Sequence, residues 1–211
     1  MQPYETDVER LYLVRHGTSE GADGLVVGQI DLELSDAGAA DLRALGESWQ
    51  GPPPDRLISS DLLRASRSAD VLSEVWGLEV SARDPRLREI DFGEWDGMTW
   101  KDLRRQEGDR FETYMQTWWD ESPPGGESMA EVGQRATDWF YDILDHGSGV
   151  VVAVAHGGSI RTILAHVLKM PGLQVFNLHL DHGRVSSLGS GPHGLETFLI
   201  NGDRFPNDPR A

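Results

Sequence analysis

Two segments far apart in the chain end alike. Leu11-Tyr12-Leu13-Val14-Arg15-His16-Gly17 and Val151-Val152-Ala153-Val154-Ala155-His156-Gly157 each run from an apolar stretch into a His-Gly pair. A neutral imidazole is a competent nucleophile, and an adjacent arginine is a fixed cation suited to phosphate or carboxylate. Glycine after each histidine lets backbone approach a ligand. One His-Gly alone reads more simply as a strand end that hydrogen-bonds a loop; the pair, with Arg15 adjacent, points to a site. Ser59-Ser60-Asp61-Leu62-Leu63-Arg64-Ala65 leaves a short apolar run and enters a helical one. Arg64 then lies in a first helical turn, where free N–H groups and the helix dipole favour an anion. Taken singly, Arg64 and Arg67 read equally well as a solvated helix face. Leu87 to Gly97 adds Glu89, Asp91, Glu94 and Asp96 in a glycine-punctuated loop. Periodicity does not say which of these acids faces a cleft.

These residues need elements to bring them together. Leu11–Val14 and Val150–Ala155 read as buried strands, and Arg56–Ser59 as a shorter, weaker one. Helices are expected from about Ser35 to Trp49, Leu62 to Trp76, Ser128 to Leu144 and Gly158 to Leu168; Ser128 and Glu131 have capping-box spacing. Val175 to Ile200 reads as two or three closing strands. This alternation implies an α/β fold, a three-layer α/β/α sandwich with a mostly parallel central sheet. In a parallel sheet all carboxyl ends share one edge, so the two His-Gly pairs converge there. The stretch at about 91–127 departs from the alternation and reads as an insertion or lid on a single domain spanning 1–211.

Composition narrows the partners. The 211 residues carry 19 basic and 35 acidic side chains, a net charge of -16, and no cysteine. That excludes disulfides, thiolate nucleophiles and cysteine-ligated metals, and it disfavours nucleic acid and anionic membranes, which need basic patches. Only Lys101 and Lys169 are lysines, so the positive charge is nearly all arginine, and one small arginine-lined anion pocket remains compatible with the composition. The polar, acidic start has no signal-peptide pattern, so a soluble, cytoplasmic protein is expected.

Taken together, these motifs resemble the histidine phosphatase superfamily, also called phosphoglycerate mutase-like. Arg15-His16-Gly17-Thr18-Ser19 resembles its Arg-His-Gly motif, and Ser60-Asp61-Leu62-Leu63-Arg64-Ala65 its Ser-x-Leu-x-Arg-Ala segment. Leu87-Arg88-Glu89 with Phe92 to Gly97 resembles its acid-donor loop, and Ala155-His156-Gly157-Gly158 its second histidine. The resemblance implies a phosphoglycerate mutase-like fold and catalytic residues His16, as the nucleophile, Glu89, as proton donor, and His156. It also implies phosphate contacts from Arg15, Arg64, Ser19 and Gly157. No cofactor and no metal are expected. The expected partner is a small phosphorylated metabolite, with no nucleic acid and no membrane; a homodimer is left open.

Departures bear on substrate. Ala22 stands where the family often has Asn, and Glu33 where Pro is usual. A long basic insertion typical of the glycolytic mutases is missing after Trp100, and Pro123 to Ser128 resembles the Gly-Gly-Glu-Ser segment of α-ribazole and broad-specificity phosphatases. The resemblance therefore favours a metal-independent phosphomonoesterase of the histidine acid phosphatase type. A mutase or sugar bisphosphatase is the alternative, and a non-catalytic phosphate-ester-binding regulator a remote one.

Other signals carry less. Gly189 to Gly194 matches G-x-G-x-x-G but contains Pro192 and precedes no helix, so a hairpin loop is expected. His179, His182 and His193 read as surface or strand-end residues rather than metal ligands. Trp95, Trp100, Trp118 and Trp119 read mainly as packing for the insertion, with stacking on a leaving group as the alternative. Arg161, one helical turn beyond His156, reaches either the pocket or surface acids. The tail after Asn201, with Pro206 and Pro209, is expected to have little regular structure and no role.

Overall fold

Leu11 and Leu13 pack with one hydrophobic cluster, Tyr12 and Val14 with another. That alternation is the signature of a strand covered on both faces. The computed structural model describes residues 5–192, 194–208 and 210. Its centre is a six-stranded sheet in the order β3-β2-β4-β1-β5-β6. The strands are β1 (Asp7–Arg15), β2 (Arg56–Ser59), β3 (Val80–Arg83), β4 (Ser148–Ala155), β5 (Val185–Gly191) and β6 (Gly194–Gly202). β3, β2, β4 and β1 are mutually parallel, whereas β5 runs antiparallel between β1 and β6.

Helices cover both faces, as the alternation predicts. α1 (Asp36–Glu47) and α2 (Leu63–Trp76) supply Leu42, Leu45, Ala65, Ala69 and Leu72 to the cluster on Tyr12 and Val14. α5 (Met129–His146) and α6 (Gly157–Val167) supply Trp139, Phe140, Ile143, Ile160 and Ile163 to the cluster on Leu11 and Leu13. α5 begins with the expected capping box: Ser128 Oγ accepts from Glu131 N, and Glu131 Oε2 accepts from Ser128 N at 2.7 Å. The insertion holds a 3₁₀ turn (Gly93–Trp95), α3 (Trp100–Glu107) and α4 (Asp109–Thr117). Its Trp95, Leu103, Phe111 and Tyr114 form a small core together with Val26 from the loop after β1.

The stretch from Val175 contains two strands, within the expected two or three, after a 3₁₀ helix (Gly172–Asn177) and a loop; two other expectations are corrected. Its hairpin is tighter than expected: Gly189 to Gly191 are ladder residues of β5, and His193 lies outside the described residues. The tail does have a role. Phe205 is fully buried, packing edge-on against Tyr12, Trp49 and Trp76; Pro209 lies outside the described residues. The short edge strand β3 has no place among the sequence expectations, because Ser81, Ala82 and Arg83 are exposed and leave no apolar pattern to read.

Candidate active site

The register of β1 against β4 builds the centre. Arg15 stands opposite Ala155, so the next residue on each strand, His16 and His156, emerges side by side at the carboxyl edge. His16 N donates to Ala155 O at 3.0 Å, and the ring centroids are 4.9 Å apart. Both side chains are buried, at 4% and 0% exposure.

The tautomer of His16 follows from its partners. Nδ1 lies 2.7 Å from Gly17 O, an acceptor only, so Nδ1 carries the proton. Nε2 then bears the lone pair, and Arg64 Nε donates to it at 3.3 Å. Burial first, then the charges of Arg64, His182 and Arg15, holds the His16 pKa well below the ordinary imidazole value. His156 is held low for the same first reason, assisted by His16, Arg64 and Arg15. Among the described residues, neither ring nitrogen of His156 has a hydrogen-bond partner. Buried polar atoms are rarely left so, which marks the space beside them as a place for a ligand.

Arginines surround this pair. Arg64, in the first turn of α2, donates through its terminal nitrogens to Ile30 O at 3.0 Å and Gly28 O at 2.6 Å. Arg15 donates to Leu180 O at 2.6 Å, and its Nε is buried without a partner among the described residues. Arg161, on α6, donates to Leu178 O at 2.9 Å. A Cβ on Gly157 would stand 2.8 Å from a terminal nitrogen of Arg161 and 3.5 Å from Arg15 Nε, so both guanidiniums lie against bare backbone there. Many arginines elsewhere are paired with carboxylates, as in Arg43–Glu74 and Arg83–Asp70. Among the described residues, Arg15, Arg64 and Arg161 have carbonyl partners and no ion pair. Their charge remains available to an anion.

Glu89 closes the arrangement from the loop before the insertion. Its carboxylate accepts from Gly158 N at 3.0 and 3.2 Å and from Ile90 N at 3.0 Å. A Cβ on Gly158 would overlap Glu89 Oε1, so this contact requires glycine. The loop is gripped from behind: Arg135 donates to the carbonyls of Arg86, Arg88 and Glu89 and pairs with Glu127. Asp96 grips the facing loop, accepting from the backbone N–H groups of Gly28, Gln29 and Ile30 at 2.6–2.8 Å. Of the acids that periodicity left undistinguished, Glu89 therefore faces the arginines and Asp96 holds backbone.

His16, His156, Arg15, Arg64, Glu89 and Gly157 are thus assembled at one edge. Ser19 is not drawn into the same contacts; it bridges to Leu34, and its buried Oγ has no partner among the described residues. Arg161 reaches the pocket. Arg67 pairs with Asp70 in solvent and His179 with Asp181 at the surface.

His182 corrects the expectation of a peripheral residue. Its Nε2 lies 2.9 Å from a terminal nitrogen of Arg15 and its ring 5.0 Å from that of His16. Burial, then Arg15 and Arg64, lowers its pKa to about 4. Gly183 N donates to the carbonyls of Arg15 and His16, which docks this segment on the site. The readable signal is a histidine in the turn that leads, through Gly183 and Arg184, into β5. Because β5 is antiparallel to β1, its amino end lies where β1 ends. Among the described residues no group of three or more His, Asp or Glu is placed to hold a metal ion. The arrangement presents an unprotonated imidazole nitrogen, a ring of cations and one carboxylate, which together suit attack on a negatively charged electrophile.

Comparison with known proteins agrees with this geometry. Residues 11–202 match the model of the histidine phosphatase superfamily (branch 1). A glucosyl-3-phosphoglycerate phosphatase of Mycolicibacterium vanbaalenii is 36% identical, over 78% of this chain and 76% of its own. A 2,3-bisphosphoglycerate-dependent phosphoglycerate mutase of Mesorhizobium japonicum is 31% identical, over 82% of this chain and 88% of its own. The fold is similar to that of the α-ribazole phosphatase from Shigella flexneri, with a TM-score of 0.83 over 92% of this chain and 97% of that one, at 23% identity.

Proposed function

The chain belongs to the histidine phosphatase superfamily (branch 1), and from that premise we propose that it is a metal-independent phosphomonoesterase acting on a small phosphorylated metabolite in the cytoplasm. One observation carries the reading: Gly17 O fixes the proton on Nδ1 of His16, leaving Nε2 unprotonated and facing Arg64.

In the first step His16 Nε2 attacks phosphorus and the ester P–O bond breaks in line with the new P–N bond. The leaving oxygen takes a proton from Glu89, a contribution of about 10²–10⁴-fold in rate. Arg15, Arg64 and His156 hold the equatorial oxygens, where charge stabilisation dominates phosphoryl transfer. In the second step water attacks phosphorus, its proton goes to the Glu89 carboxylate, the P–N bond breaks and His16 returns with inorganic phosphate. Both steps draw their positive charge from arginine, so chelator is expected to leave the rate unchanged. The net charge of -16 supports a compact ester over nucleic acid as the partner.

Rapid acid-free quenching of the enzyme with a ³²P-labelled monoester tests this. The expected result is acid-labile, base-stable label on His16, lost in His16→Ala together with turnover. Full activity in that variant, or abolition by chelator, contradicts the mechanism. Transfer of label between positions of a phosphoglycerate instead of release to water would identify a mutase, the activity named for the Mesorhizobium relative. Tight ester binding without turnover would identify a regulator.

A further inference from the structure

Beside Glu89 lies a second cavity of about 280 Å³ that the chemistry above does not use. Its walls come from four separate places: Ile90 next to Glu89, Met129 at the start of α5, Trp118 and Met115 from the insertion, and Phe176 from the 3₁₀ helix. All the lining side chains are apolar or aromatic. Met115 and Phe176 remain 47% and 55% exposed, so the cleft opens to solvent.

Two contacts join it to the cationic pocket. Met129 Cε would stand 3.2 Å from a Cβ on Gly158, the residue that donates to Glu89. Arg161 lies 5.3 Å over the ring of Phe176 while its terminal nitrogen lies against Gly157. Phe176 in turn packs edge-on against Trp118 at 4.4 Å. The proton-donating carboxylate and an apolar wall thus adjoin, on the side where a leaving group departs.

We propose that this cleft receives the leaving group, so that the preferred substrates are monophosphates of uncharged, apolar alcohols, aliphatic or aromatic. The proposal rests on the phosphatase reading. A polyhydroxylated or carboxylated leaving group placed here would lose hydration and find no charged side chain in the lining, a net cost. An apolar one would gain from every methylene buried.

Hydrolysis of ethyl, butyl and hexyl phosphate tests it, because the intrinsic reactivity of the ester hardly changes along the series. The expected result is a rise in kcat/KM of about four-fold per methylene until the cleft fills, the equivalent of one buried CH₂. Glycerol 3-phosphate should fall below butyl phosphate. Met115→Asp and Phe176→Ala, at partly exposed positions, should each flatten the series. Phosphate release with no dependence on chain length overturns the inference and leaves the phosphatase reading intact; so does an undiminished slope in both variants. No turnover of any ester, with no label on His16, removes the phosphatase reading and the inference with it.

Discussion

The two nitrogens of His16 have opposite tasks, and one short contact to Gly17 O separates them. The cost of that arrangement appears in acid. His16, His156 and His182 all have folded-state pKa values below the ordinary one, with burial the first cause in each. The unfolded chain therefore binds more protons, and stability must rise with pH through this region. Stability should fall as pH drops below about 6.5, the unfolded imidazole value, and for His182 the loss should level off near its folded value of about 4. His182→Gln should reduce the slope of unfolding free energy against pH by up to about 1.4 kcal/mol per pH unit in that window. Urea denaturation at pH 5 and 7 measures it; identical slopes would count against a buried neutral His182. Gly158→Ala addresses the carboxylate instead. Its methyl group would overlap Glu89 Oε1, so Glu89 must move, and a drop in kcat of about 10²-fold or more is expected. An unchanged kcat would show that Glu89 is not the proton donor.

Loops, rather than strands, set where Arg64 and Glu89 point. Asp96 holds the backbone of Gly28 to Ile30, and the carbonyls of Gly28 and Ile30 hold Arg64. Asp96→Ala leaves three backbone donors without their acceptor, and the expected result is a lower kcat with a raised KM and a modest loss of stability. Asp96→Asn, which keeps an acceptor oxygen, should recover part of both. An effect on stability alone would mean that Arg64 is held by α2 without help. This division also explains what could be read in advance. His16, His156 and Arg64 lie at the ends of apolar runs or at a strand-to-helix junction, and apolar periodicity locates those runs, whereas Glu89 is singled out among four loop acids only by the family resemblance. His182 was misplaced because its meaning depends on β5 being antiparallel to β1, which no local pattern states. Arg135 reads as an ordinary helix-surface cation until its three carbonyl acceptors lie beside it. The capping box of α5 was legible because both partners lie within four residues.

At the level of the molecule, charge and packing are arranged independently. Carboxylates meet arginines over the surface, while the arginines at the sheet edge keep their charge for a ligand. On the side of α1 and α2, Phe205 completes an aromatic group with Tyr12, Trp49 and Trp76, although it lies beyond the last strand. Phe205→Ala should destabilise the fold by about 3–5 kcal/mol, read by urea unfolding; a change below about 1 kcal/mol would show that the tail only rests on the sheet. The strand order has a consequence for biosynthesis. β1 is made first, yet its neighbours are β4 and β5, with Leu11 paired to Val151 on one side and Leu188 on the other. A nascent chain that has reached only α5 has no partner on either side of the strand that leads into His16. His16 therefore cannot be poised beside His156 in a partly translated chain, and the site assembles only once the C-terminal strands have closed on the N-terminal one.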